Sequence, residues 1–211
     1  MSNEKIITVF RKKEIIEKIQ NKLPYLFQLA EQESSRAGKL GMEVGSVRER
    51  VIVALLVSRF GERNVETEIP ITEAEVDVKV FGNPISIKTF TGKTFTGVKL
   101  IWTVDPKSAI EFSQKYSPVC DMILVQIHWS NGGGLYYIKK ETQQKILKEI
   151  GREKYIKLPK EGTNPRGVEV SGEALKMLTE NADTIKIAIV WKRKDINFNP
   201  YKRWVELWEE D

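Results

Sequence analysis

The stretch Glu75–Thr89, EVDVKVFGNPISIKT, reads as two short strands joined by a tight turn. Val76, Val78 and Val80 alternate with Glu75, Asp77 and Lys79; beyond the turn, Ile85 and Ile87 alternate with Ser86 and Lys88. Alternation with a period of two puts each apolar set on one face of a sheet and each polar set on the other. Gly82-Asn83 followed by Pro84 is a turn signal, because Gly and Asn tolerate positive φ and Pro can begin a strand. A loop of two or four residues pairs Asp77 with Lys88 and Lys79 with Ser86. A three-residue loop would set Val78 opposite Lys88 and mix the faces. The expected hairpin therefore carries a carboxylate beside an ammonium on one polar face.

Two readings of that pair are open. One is a solvated hairpin face with an ordinary cross-strand ion pair. The other is a nuclease centre in which Asp77 holds a divalent metal and Lys88 steadies a water or a phosphate. Hard cations such as Mg²⁺ take oxygen ligands, commonly one or two carboxylates with phosphate and water. In its order, Asp77 and then Ser86-Ile87-Lys88, the stretch resembles the PD-(D/E)XK nuclease signature, an Asp followed by acid-x-Lys across a hairpin. Ser86 stands where Glu is usual. That is similar to the S-x-K variant of some type II restriction endonucleases, in which the second acid comes from elsewhere.

A chain of 211 residues is most simply one domain with a full-sized core. Its 34 basic against 29 acidic residues give a net charge of +5, a mild lean towards polyanions. The lone Cys120 excludes an intramolecular disulfide, and with a single His128 it leaves too few ligands for a structural zinc site. No apolar run approaches a membrane span and no signal peptide opens the chain, so a cytoplasmic protein is expected.

Ahead of the hairpin, residues 4–33 are predicted helical from the spacing of Ile15, Ile16, Ile19, Leu23, Leu26 and Phe27, with Pro24 kinking or dividing the run. Gly38, Gly41 and Gly45 forbid a regular element over residues 34–46, SSRAGKLGMEVGS. This basic loop carries Arg36, Lys39 and Met42 and is read either as a phosphate-approaching segment or as an inert linker. Ser46 is the expected N-cap of the next helix, with Glu49 completing a capping box and Gly61 ending it. Val47, Val51, Ala54, Leu55 and Ser58 share one face of that helix. Residues 64–70 are expected at the edge of the sheet.

Past the hairpin, residues 90–97, FTGKTFTG, form a polar loop with Lys93, and Val98–Thr103 a third strand. Asp105-Pro106 opens a helix, and Asp121–Trp129, DMILVQIHW, is apolar enough for a central strand reached by a crossover. A glycine turn at Asn131–Gly134 leads to a strand at Leu135–Ile138 and a helix over 141–150. Residues 158–167 form a loop whose Asn164 and Arg166 suit adenine and guanine edges, or a plain surface loop. Ser171 caps a helix, Thr184–Trp191 is a last strand, and Tyr201, Trp204 and Trp208 in the tail must pack on the body or on a second subunit.

The order of elements resembles that of the PD-(D/E)XK nucleases, and the resemblance implies an α/β (α+β) restriction-endonuclease-like fold with a central mixed sheet flanked by helices. The resemblance implies one domain over 1–211, divided into a helical arm and Gly-rich basic loop (1–45), a catalytic core (46–130), and recognition and dimerisation elements (131–211). KLGMEVGSVRER, EVDV and ISIKTFTG together resemble the ThaI-type restriction endonucleases, which cut CGCG to blunt ends. The resemblance implies a homodimer on a palindromic double-stranded DNA site, one centre per strand, and a cognate DNA methyltransferase. It implies Mg²⁺ held by Asp77 and the Ile87 carbonyl, with Mn²⁺ substituting and Ca²⁺ as a non-catalytic analogue. Lys88 would orient water or neutralise the phosphate, and Ser86 would hydrogen-bond nearby. Glu49 is the favoured additional acid, with Glu75 and Glu111 as alternatives. Candidate DNA contacts are Arg36, Lys39, Arg48, Arg50, Lys93, Asn164 and Arg166, with Met42 as a wedge between base pairs. A repair or junction-resolving nuclease and a non-catalytic DNA-binding protein are the competing classes.

Overall fold

The computed structural model describes residues 2–36, 39–40, 43–70, 72–73, 75–159 and 167–210. The chain opens with α1 (Ser2–Arg11) and α2 (Lys13–Glu33), a ribbon of β1 (Ser35–Arg36) and β2 (Lys39–Leu40), and α3 (Val44–Phe60). The edge strand β3 (Val65–Glu66), β4 (Val78–Val80) and β5 (Asn83–Thr91) follow, then β6 (Gly97–Ile101), α4 (Pro106–Lys115), β7 (Asp121–Ile127) and β8 (Gly132–Ile138). The remainder is α5 (Lys140–Ile150), α6 (Arg152–Tyr155), β9 (Ile156–Lys157), β10 (Val168–Ser171), α7 (Gly172–Glu180), β11 (Ile185–Val190) and α8 (Lys202–Glu209).

Among the described residues the central sheet runs β11-β8-β7-β5-β4-β3, with β5 and β7 parallel and the other neighbours antiparallel. Period-two alternation along β7 separates two cores. Ile123, Val125 and Ile127 face α1, α2 and α3 through Phe10, Phe27, Ile52 and Leu56. Met122 and Leu124 face the opposite side, where Tyr155, Val170 and Leu175 close the second core. Burial on both faces explains why β7 is a near-continuous apolar run.

The hairpin register differs from the expected one by two residues. Val78 pairs with Ile85 and Val80 with Asn83, so the turn residues are Phe81 and Gly82, with φ of 51° and 76°. Both being positive, they twist the turn with the strands. Phe81 holds that conformation because its ring packs edge-on against Phe60 at 5.4 Å and its N–H donates to the Asn64 carbonyl at 2.8 Å. A shift of two preserves parity, so every side chain keeps its face.

Other expectations are corrected by packing. The N-terminal helical run divides at Lys12, whose ψ of 126° is extended, while Pro24 sits buried inside α2. The glycine-rich loop contains the β1–β2 ribbon. Helix α3 starts at Val44 rather than after Ser46, and no side chain caps it. Its buried stripe is Arg48, Ile52 and Leu56, whereas Ala54 and Ser58 are exposed. Strand β6 lies outside the central sheet, because β4 and β7 already occupy both edges of β5; it pairs with β10 in a second sheet, β6-β10-β9. Gly132–Gly134 belong to β8 rather than to the turn, and a Cβ on Gly133 would meet the Gln126 carbonyl at 2.4 Å. The tail aromatics do not pack on the body: Trp208 is 89% exposed.

Candidate active site

Asp77 immediately precedes β4, and β5 runs beside it carrying Ser86, Ile87 and Lys88. One oxygen of Asp77, Oδ2, accepts three hydrogen bonds: from the Ile87 N–H at 2.6 Å, Lys88 Nζ at 3.1 Å and Ser86 Oγ at 3.3 Å. Ile87 uses its N–H on a side chain because the β4–β5 ladder ends at Val78 and Ile85. In a strand the carbonyl points to the same side as the N–H of its residue, so the Ile87 carbonyl is directed to the Asp77 side. Ser86 is buried beneath this group, while Lys88 remains partly open to the cleft.

That cleft, of about 640 Å³, is lined by Glu49, Asp77, Lys88, Thr89, Lys99, Trp102 and Glu169. Glu49 enters from the first half of α3. Burial raises its carboxyl to about 7; the Asp77 charge adds to this, and Lys88 opposes it. Glu49 and Asp77 repel one another across this recess, and a bound cation would relieve that repulsion. The other acid candidates lie elsewhere. Glu75 is buried and accepts from the Tyr116 hydroxyl at 2.7 Å, and burial raises its carboxyl as well. Glu111 is exposed on α4 and lines a second recess together with Glu75.

Arg48 is corrected as a DNA contact. It is 4% exposed, and its guanidinium pairs with Glu31 and donates to Thr91 Oγ1 at 3.2 Å. Glu31 also accepts from Arg193 at 2.6 Å and Trp129 Nε1 at 2.9 Å, so the buried carboxylate is the centre of a network that reaches the surface at Arg193. Arg50 and Lys93 are exposed. The backbones of Arg36 and Lys39 form the β1–β2 ribbon. Met42, Asn164 and Arg166 lie outside the described residues.

Lys99, Trp102 and Glu169 are cleft residues that local sequence signals do not reveal, because they come from β6, the residue just beyond it and β10. The Lys99 ammonium lies 3.3 Å from the centre of the Trp102 ring. Gly97, at φ 135°, lets the two strands close: a Cβ there would meet Glu169 at 2.8 Å.

A mixed sheet with a carboxylate–lysine hairpin on the floor of an open cleft, faced by an acid from the preceding helix, has the architecture of a restriction endonuclease. A solved structure described as a restriction endonuclease in complex with substrate DNA matches with a TM-score of 0.91 and 59% identity, covering 98% of this chain and 100% of that one. The family model for restriction endonuclease ThaI matches residues 9–210, and the chain belongs to that family. No curated protein matches. Among the described residues no helix is long and apolar enough to cross a membrane.

Proposed function

We propose that this protein is a Mg²⁺-dependent type II enzyme that hydrolyses both strands of DNA at a short palindrome, with CGCG the first site to test. One observation carries the reading: Asp77, Lys88 and Glu49, distant in sequence, line the same cleft. Substrate DNA in the 59%-identical solved complex supports double-stranded DNA as the ligand.

The donors fit a hard cation. Among the described residues no three His, Cys, Asp or Glu side chains are grouped so as to hold a metal ion, so a metal would rely on Asp77, Glu49 and the Ile87 carbonyl, with water and phosphate completing the shell. Asp77 directs one oxygen at the protein donors and leaves Oδ1 available. When bound, Mg²⁺ supplies Lewis-acid activation of water and charge stabilisation at the phosphate. Lys88, held by Asp77, orients the attacking water or neutralises the phosphate. Ser86 carries no charge and fixes Asp77 by its hydrogen bond. Arg50, Lys93 and the basic segment with Arg36 and Lys39 contact the phosphate backbone; Asn164 and Arg166 read bases, and Met42 enters between base pairs. Two copies act on one palindrome, protected in the host by a methyltransferase of the same specificity.

Digestion of a plasmid with Mg²⁺ or Mn²⁺, followed by sequencing of the ends, tests this. Discrete fragments with one common end sequence are expected, and Ca²⁺ or chelator should support binding without cutting. Fragments with random ends would instead indicate a repair-type nuclease. Tight binding without any cleavage would indicate a binding module.

A further inference from the structure

Helix α3 brings Glu49 to the cleft, but Arg48, one residue before it, ties the helix down. The buried guanidinium forks: Nη2 donates to Glu31 of α2, and Nη1 donates to Thr91 Oγ1 at 3.2 Å. Thr91 is the last residue of β5, the strand that also carries Lys88. Among the described residues this is the one hydrogen bond that joins α3 to β5. The fork is held from its other side as well. Glu31 accepts from Trp129 and Arg193, and the Arg48 guanidinium lies over the Phe27 ring, 5.9 Å from its centre.

The rest of the buried stripe of α3, Ile52 and Leu56, packs without direction. Apolar contacts of that kind tolerate a small roll of the helix. A guanidinium shared between two acceptors does not, because hydrogen bonds weaken away from their preferred distance and angle. Glu49 feels any roll directly, since it follows Arg48 on the same helix. At a side-chain radius of roughly 5–6 Å, a roll of about 20° displaces a carboxylate by about 2 Å. That is as long as a Mg²⁺–oxygen bond, about 2.0–2.1 Å. A buried ion pair is weak support for stability, because desolvation offsets its attraction, but it is well suited to fixing one geometry.

We propose that Arg48 is a positioning residue for the cleavage reaction: locked on Glu31 and tied to Thr91, it sets the rotation of α3 and so places Glu49 against Asp77 and Lys88. The proposal rests on the reading of Glu49 as a metal ligand and adds what holds that ligand in place.

Three variants of the full chain test it. Thr91→Val keeps the shape of the strand residue and loses the hydroxyl, whereas Thr91→Ser keeps the hydroxyl. Arg48→Lys has a single nitrogen, which can hold Glu31 but cannot also span to Thr91. Binding of Mn²⁺ alone is measured by calorimetry, beside kcat on plasmid and the melting temperature. Thr91→Val and Arg48→Lys should each weaken Mn²⁺ binding and lower kcat by at least about tenfold. Thr91→Ser should behave as wild type, and Thr91→Val should melt close to it. Both damaging variants are then repeated in a Glu49→Gln background. If Arg48 acts through Glu49, they cost nothing further there, whereas a merely structural role gives losses that add. Wild-type Mn²⁺ affinity in either variant, or additive losses, overturns the positioning role and leaves Glu49 as the ligand. An Mn²⁺ affinity that Glu49→Gln does not change overturns the reading of Glu49 and the proposal with it.

Discussion

The Ile87 N–H and Asp77 Oδ2 lie 2.6 Å apart, the shortest of three hydrogen bonds that converge on that one oxygen. A backbone donor therefore fixes the orientation of Asp77, and fixing one oxygen leaves the other available.

Asp77→Ala should reduce cleavage by at least about 100-fold while DNA affinity stays nearly unchanged, because affinity is spread over many phosphate contacts. Turnover within tenfold of wild type would remove Asp77 from the chemistry. Lys88→Ala should behave alike, and Lys88→Arg should not rescue it, since a planar guanidinium differs in shape and reach.

Glu49→Gln should abolish most activity, whereas Glu111→Gln should be near neutral. The same variant carries a pH signature in the metal-free protein. The folded-state carboxyl titrates near 7 against an ordinary value of 4.5. The unfolded chain thus releases this proton first, and stability falls as pH rises between those values. Glu49→Gln removes that loss, so its melting temperature should gain on wild type from pH 5 to pH 8 in chelator. An equal difference at both pH values would contradict the assignment.

Arg48→Ala should cost about 3 kcal/mol, because Glu31 loses one of its partners inside the protein. Thermal melting should show a drop of roughly 6–12 °C for a chain of this size. The salt dependence of DNA binding should stay as in wild type. A flatter salt slope at unchanged melting temperature would return Arg48 to the DNA.

Gly133→Ala should destabilise by roughly 1–3 kcal/mol, since its Cβ would press on the Gln126 carbonyl and on the Trp191 ring at 2.7 Å. Chemical denaturation measures this, and a variant as stable as wild type would show that the strand pair and the indole give way freely.

Alternation over Glu75–Thr89 was enough to place Asp77, Ser86 and Lys88 together on one face, and the apolar run of β7 was enough to make it central. Both are local stereochemical signals, and parity survives a shift of two residues. The turn itself was not legible, because a Phe at positive φ depends on Phe60 and Asn64. Nor was the α3 stripe, where an Arg is buried because Glu31 of another helix awaits it. Glu49 could be suspected of facing the hairpin, but its position in the cleft, and the presence there of Lys99, Trp102 and Glu169, required the packed chain. Strand period and turn chemistry act between near neighbours and are written residue by residue. Which strands pair, and which buried charge finds a partner, depends on contacts between segments far apart in the chain, and only the tertiary structure decided them.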